Sequence, residues 1–151
     1  MISHVHIQYY IINWCHGNST IINKIQKICN KFLCTAFKCS LKELPAMVLE
    51  HKLPSIKQIF YNDVGTFMYR FKSGSLPNAL NGLFHCNRSS IATRSQSKLI
   101  PTCCRISCSQ QSISFVGPKI WNELPIHIKQ AKSINCFKHK LKLHQIANHQ
   151  D

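Results

Sequence analysis

The stretch Ser112-Ile113-Ser114-Phe115-Val116-Gly117-Pro118-Lys119-Ile120-Trp121-Asn122-Glu123-Leu124-Pro125 sets how the rest of the chain is read. Gly117-Pro118 is a turn signal, because Gly allows positive φ while Pro fixes its own φ and removes a donor. It predicts two short halves, Ile113/Phe115 and Ile120/Trp121/Leu124. Neither half is stable alone, so these side chains need a core from other parts of the chain. Gly117, Pro118, Trp121 and Leu124 thus read as structural anchors, and removing a buried Trp121 side chain should cost ~3–5 kcal/mol.

Two neighbouring patterns are candidates for that core. Ile56, Ile59/Phe60, Val64, Phe67/Met68 and Phe71 repeat with helical period, with Ser55 as N-cap and Gly74 in the place of a C-terminal cap. Gly65 inside this helix costs about 1 kcal/mol relative to Ala, which reads either as close packing against another helix or as drift. Downstream, Pro125 starts a short turn through Lys129. Ser133 then caps a last helix with Ile134, Phe137 and Leu141 inward and Lys138, His139, Lys140 and Lys142 outward. Part of that basicity complements the helix dipole.

Upstream, His6 to Trp14 is a short apolar run read as helix, with Trp14 as an anchor. Gly17-Asn18-Ser19 breaks it, and Ser19 or Thr20 caps a helix from Ile21 to about Phe37. Its expected inward stripe is Ile21, Ile25, Ile28, Phe32 and Ala36, widened by Ile22, Cys29 and Leu33. Lys24, Lys27, Lys31 and Lys38 fall on the opposite side, spaced to track a phosphate backbone. Solvated helix faces commonly carry Lys, but a face built only for solubility mixes signs, and acidic partners are missing here. Leu44 to Lys52, with Pro45 in the first turn, is a short helix. The region from Asn87 to Gln111 has no helical period and reads as loop with a short strand at Lys98 to Ile100. Arg88, Arg94, Lys98 and Arg105 make it basic. The expected divisions are 1–84, 85–111 and 112–151, in a mainly α chain: a small helical bundle, an irregular short-stranded loop region and a C-terminal helix.

The 151 residues are of single-domain size, with 44% hydrophobic and only 16% charged residues. Lys+Arg number 19 against 5 Asp+Glu, a formal net charge of +14. An excess of this kind favours a polyanion, nucleic acid first, with an anionic membrane surface or an acidic protein as rivals. Ile7 to Trp14 falls well short of the ~18 residues a span requires, and no Lys or Arg precedes Lys24 as a secretory leader would need. The expectation is no membrane span, no signal peptide, and nine Cys held mostly as free thiols in a reducing, intracellular setting, nuclear or cytoplasmic.

Nine Cys and nine His invite a metal site, but their spacing does not support one. Cys29, Cys34 and Cys39 are five apart, which rotates them around a helix. Around His85, Cys86, Cys103, Cys104 and Cys108 there is neither a paired C-x-x-C nor a matching His module. No cofactor or small-molecule substrate is expected either. The five carboxylates, Glu43, Glu50, Asp63, Glu123 and Asp151, are scattered, and no phosphate-cradling Gly loop occurs. Catalysis by this chain alone is therefore not expected.

The 112–125 stretch, followed by Ile128-Lys129, Ser133, Phe137-Lys138 and Leu141-Lys142, resembles the tail beyond the reverse transcriptase domain of non-LTR, LINE-type (Jockey/CR1-like) retrotransposons. Upstream, His6-Ile7-Gln8-Tyr9 with Trp14, Phe67-Met68-Tyr69 with Leu76-Pro77, and Thr93-Arg94-Ser95 are similar to further segments of that family, in the same order. The motifs are individually weak, and their order makes them specific. Two departures are Cys15, where the family usually has Gly, and the Cys-rich 103–108 stretch. The resemblance implies a thumb-like helical bundle and tail from an RNA-directed DNA polymerase, beginning after the palm, since the palm's Tyr-x-Asp-Asp turn is not in this sequence. It also implies binding of template RNA or target DNA without sequence choice, through Lys24, Lys27, Lys31, Arg94, Arg105, Lys138, Lys140 and Lys142. Trp14, Phe67, Gly117, Pro118, Trp121, Leu124 and Phe137 would be structural. Packing against a missing palm, or a relic with no independent activity, is the alternative.

Overall fold

The computed structural model describes residues 11–14, 19–86, 98–103, 105–106, 110 and 112–147, excluding the side chains of residues 13, 14, 19, 81, 85 and 86. The described chain is mainly helical. In order come α1 (Ile11–Trp14), α2 (Ser19–Phe37), α3 (Leu44–Glu50), α4 (Ile56–Lys72), a 3-10 turn (Asn78–Leu83), β1 (His85–Cys86), β2 (Leu99–Ile100), α5 (Ile113–Glu123), α6 (Ile126–Lys129) and α7 (Ile134–Ala147). The two short strands pair antiparallel, with His85 opposite Ile100 and Cys86 opposite Leu99. The chain divides into two compact units, Met1–Phe60 and Tyr61–Asp151.

In the first unit the core is Ile11, Ile56 and Ile59, with Ile12, Ile22, Ile25, Cys29 and Phe60 against it. This revises the expected inward stripe of α2. Ile21, Ile28 and Phe32 are 50%, 66% and 55% exposed, and Ala36 is exposed too. The period was right and the inward edge was not: a wide apolar arc meets a core large enough to cover only its Ile22/Ile25/Cys29 side. Gln26 joins two helices here. Its Oε1 accepts the Ile56 N–H at 3.0 Å, satisfying an orphan donor at the start of α4, while its Nε2 donates to Asn30 Oδ1 at 2.9 Å.

The expected caps of α4 and α7 are in place, whereas Ser19 and Thr20, expected to cap α2, lie inside its first turn because the helix starts earlier than Ile21. Ser55 and Gln58 form a reciprocal box, with Gln58 N–H donating to Ser55 Oγ at 3.3 Å and Ser55 N–H to Gln58 Oε1 at 2.7 Å. Ser133 Oγ accepts the Cys136 N–H at 3.2 Å at the head of α7. Gly74, at φ +68°, closes α4, where the Ser75 N–H reaches Arg70 O at 2.9 Å. Lys38 and Lys52 take the same left-handed position, at φ 51° and 49°, after α2 and α3.

In the second unit the Gly117-Pro118 pair is not a turn. Both residues lie inside α5, which runs unbroken from Ile113 to Glu123. Pro118 has no N–H to give Ser114, whose carbonyl would otherwise be orphaned. Thr102 fills the gap: its N–H donates to Ser114 O at 3.3 Å and its hydroxyl at 3.4 Å. Gly117 is there for proximity, since a Cβ would lie 2.6 Å from Met68 Sδ and 3.3 Å from Phe84 Cε1. At Gly65 an added Cβ would come within 2.9 Å of Leu141 Cδ2, which selects close helix packing over drift. The core of this unit holds Val64, Met68, Phe84, Leu99, Trp121, Leu124, Ile128, Phe137 and Leu141.

The anchor residues take their places in this core. Trp121 stacks on Phe137 at 6.1 Å between ring centroids, and Phe137 stacks on Tyr69 at 4.6 Å. Tyr69 is held in turn by its hydroxyl, which donates to Ala131 O at 2.8 Å. Half-buried Phe67 meets Phe84 edge-on at 6.2 Å, and Leu124 and Pro118 are buried. Trp14 closes α1, and its side chain lies outside the described set.

Candidate nucleic-acid interface

On α2, Lys24, Lys27 and Lys31 are all exposed. At about 100° per residue they fall within roughly 60° of arc, and about 10 Å of helix axis separates the first from the last. The sequence of α2 contains no acidic residue, so the row has no intrahelical counter-charge. Beside it along the same helix lie the exposed Ile21, Ile28 and Phe32. Lys38 sits just past the helix end, in its left-handed turn.

On α7 the expected group divides. Lys138 and Lys142, four residues apart, share one exposed face. Lys140 projects to the other flank, where its Nζ donates to His127 O at 3.0 Å, and this hydrogen bond gives it a structural task at the end of α6. Lys138 also lies close enough to the half-buried Asp63 to act on its titration. Burial raises the Asp63 carboxyl above its usual range, and the charge of Lys138 offsets this in part.

Arg105 is exposed at a bend. Arg94 lies outside the described residues, as does much of the 85–111 stretch around it. The lysine row of α2 belongs to the first unit, and Arg105, Lys138 and Lys142 belong to the second.

Sequence reasoning passed over Lys129 and Asn122. Lys129 Nζ donates to Asn122 O at 3.1 Å, at the end of α5. Burial, and then the charge of Lys98, push its pKa down. The Asn122 side chain grips the backbone of Leu99 from both sides, accepting its N–H at 3.1 Å and donating to its carbonyl at 2.8 Å. This side chain stands in for a neighbouring strand and sets Leu99 into the core. Both residues belong to the structural framework. A Lys four to seven residues beyond a helix end and an Asn beside a buried Trp were the available signals, and neither identifies its partner.

Among the described residues no three His, Cys, Asp or Glu side chains gather to hold a metal ion. No described helix is long and apolar enough to cross a membrane. What the exposed groups offer chemically is positive charge on helix faces, suited to phosphate oxygens. Compared with protein-family models, curated proteins and solved structures, the chain matches none.

Proposed function

We propose that this chain is a non-catalytic C-terminal part of a LINE-type RNA-directed DNA polymerase that holds RNA or DNA by its backbone, without sequence choice. The observation that carries the reading is the row Lys24, Lys27 and Lys31, exposed on one face of a helix with no acidic residue, in a chain of net charge +14. Lys138, Lys142 and Arg105 add to it, and Arg94, outside the described residues, rests on the sequence alone. Side chains of this type meet phosphates as point charges or forks and carry no base information. Titrating labelled single-stranded RNA and duplex DNA of two unrelated sequences against rising salt tests this. Log affinity should fall linearly with log salt, equally for both sequences. Affinity that ignores salt, or that follows sequence, would contradict the reading.

A second reading is favoured by the exposed Ile21, Ile28 and Phe32: α2 is a packing face for a polymerase palm, and the isolated chain does nothing by itself. The absence of salt-dependent binding, together with a cooperative gain in stability on adding a palm fragment, would select it.

A further inference from the structure

Cys34 and Cys39 are five residues apart, as are Cys29 and Cys34, yet the two pairs are placed differently. Five residues of α-helix turn the chain through about 500°, leaving side chains some 140° apart. That separates Cys29 from Cys34 within α2. Between Cys34 and Cys39 the helix stops. Lys38 takes φ 51°, the Cys39 N–H reaches back to Cys34 O at 3.0 Å, and the Lys38 N–H reaches Thr35 O at 3.4 Å. This nested pair of hydrogen bonds defines a helix-terminating turn whose fourth-from-last helical residue and second residue beyond the end characteristically touch through their side chains. Here those two residues are both cysteines, both free and both half-buried.

We propose that Cys34 and Cys39 form a redox-active dithiol that closes to an intramolecular disulfide under a peroxide. The pair already interacts as thiols. Burial raises the pKa of Cys34, and the charge of Cys39 and a hydrogen bond between the two side chains raise it further. Cys34, its thiol pushed above the ordinary range, is the resolving member of the pair. The Cys39 thiolate attacks one peroxide oxygen, an S–O bond forms, the O–O bond breaks, and the departing hydroxide takes a proton to become water. The Cys34 sulfur then attacks the Cys39 sulfur, the S–S bond forms as the S–O bond breaks, and a second water leaves with the Cys34 proton. Two thiols lose two electrons and one peroxide is reduced to two waters. The bridge would fasten the end of α2 across its left-handed residue.

The chain carries its own control. Trypsin cuts after Lys27, Lys31, Lys38 and Lys42, releasing Cys29, Cys34 and Cys39 on the separate peptides 28–31, 32–38 and 39–42. The full-length chain is treated with hydrogen peroxide, its remaining thiols are alkylated, and it is digested without reductant and read by mass spectrometry. In the native chain the 32–38/39–42 pair should exceed the 28–31/32–38 pair by roughly tenfold or more, because only one pair is pre-positioned. In urea, where both pairs span the same number of residues, the two should agree within about twofold. A native ratio near one would overturn the proposal. So would Cys34 bridged chiefly to any other cysteine, or separate sulfinic acids on Cys34 and Cys39 without a joined peptide.

Discussion

Asp63 is a half-buried carboxylate whose desolvation outweighs the help of Lys138, so its folded pKa stands above its unfolded one. The sign of the consequence follows from proton linkage. The folded state holds the proton more tightly, so this group favours folding below the unfolded pKa, and that contribution is lost as pH rises through the folded pKa. Asp63→Asn should remove this component. Urea unfolding across the acid range should show the wild type losing stability relative to the variant as pH rises to neutrality; parallel curves would mean that Asp63 is ordinary. Trp121 lies at the other extreme, a residue whose contribution is packing. It is 5% exposed and stacked on Phe137, and Trp121→Ala should cost ~3–5 kcal/mol in thermal or urea unfolding. A cost near zero would refute the anchor.

At the scale of elements, α5 shows how a proline can sit inside a helix when a neighbouring segment supplies what it removes. A turn was the natural reading of Gly117-Pro118, because the residues that rescue the helix are elsewhere: Thr102 on the Ser114 carbonyl, and Met68 and Phe84 against the bare face of Gly117. Local chemistry names the breakers and is silent about such compensation. Gly117→Ala should therefore destabilise by about 1–3 kcal/mol through overpacking, measured as a shift in urea midpoint without a change in slope. An unchanged midpoint would mean that Met68 yields freely. By contrast, the Ser55 and Ser133 caps and the Gly74 terminus were readable, since each needs only a few adjacent residues. The face of α2 was half legible: periodicity identifies an apolar arc, but which edge turns inward depends on the small Ile11/Ile56/Ile59 core. Phe32→Ser, an inward change by sequence and an exposed one by structure, should alter stability by no more than about 0.5 kcal/mol. A loss of 2 kcal/mol or more, roughly that of a truncated core side chain, would restore the inward assignment.

Over the whole molecule, mainly helical architecture was legible because long stripes such as Ile56 to Phe71 fix helices without knowledge of their partners. The lysine row on α2 was legible for the same reason. The diversion of Lys140 to His127 O, and the meeting of Cys34 with Cys39, were not, because both arise where a helix ends and the chain changes direction. The central claim is that a row of lysines on a helix with no acidic residue of its own holds a phosphate backbone, and counterion release measures such contacts one by one. The direct test is the salt dependence of duplex DNA binding by the wild type and by the Lys24→Ala/Lys27→Ala/Lys31→Ala variant, both checked for unchanged helical content. With one phosphate neutralised per lysine, the slope of log affinity against log salt should become shallower by about 2.7 in the variant. Equal slopes for the two proteins would contradict the account.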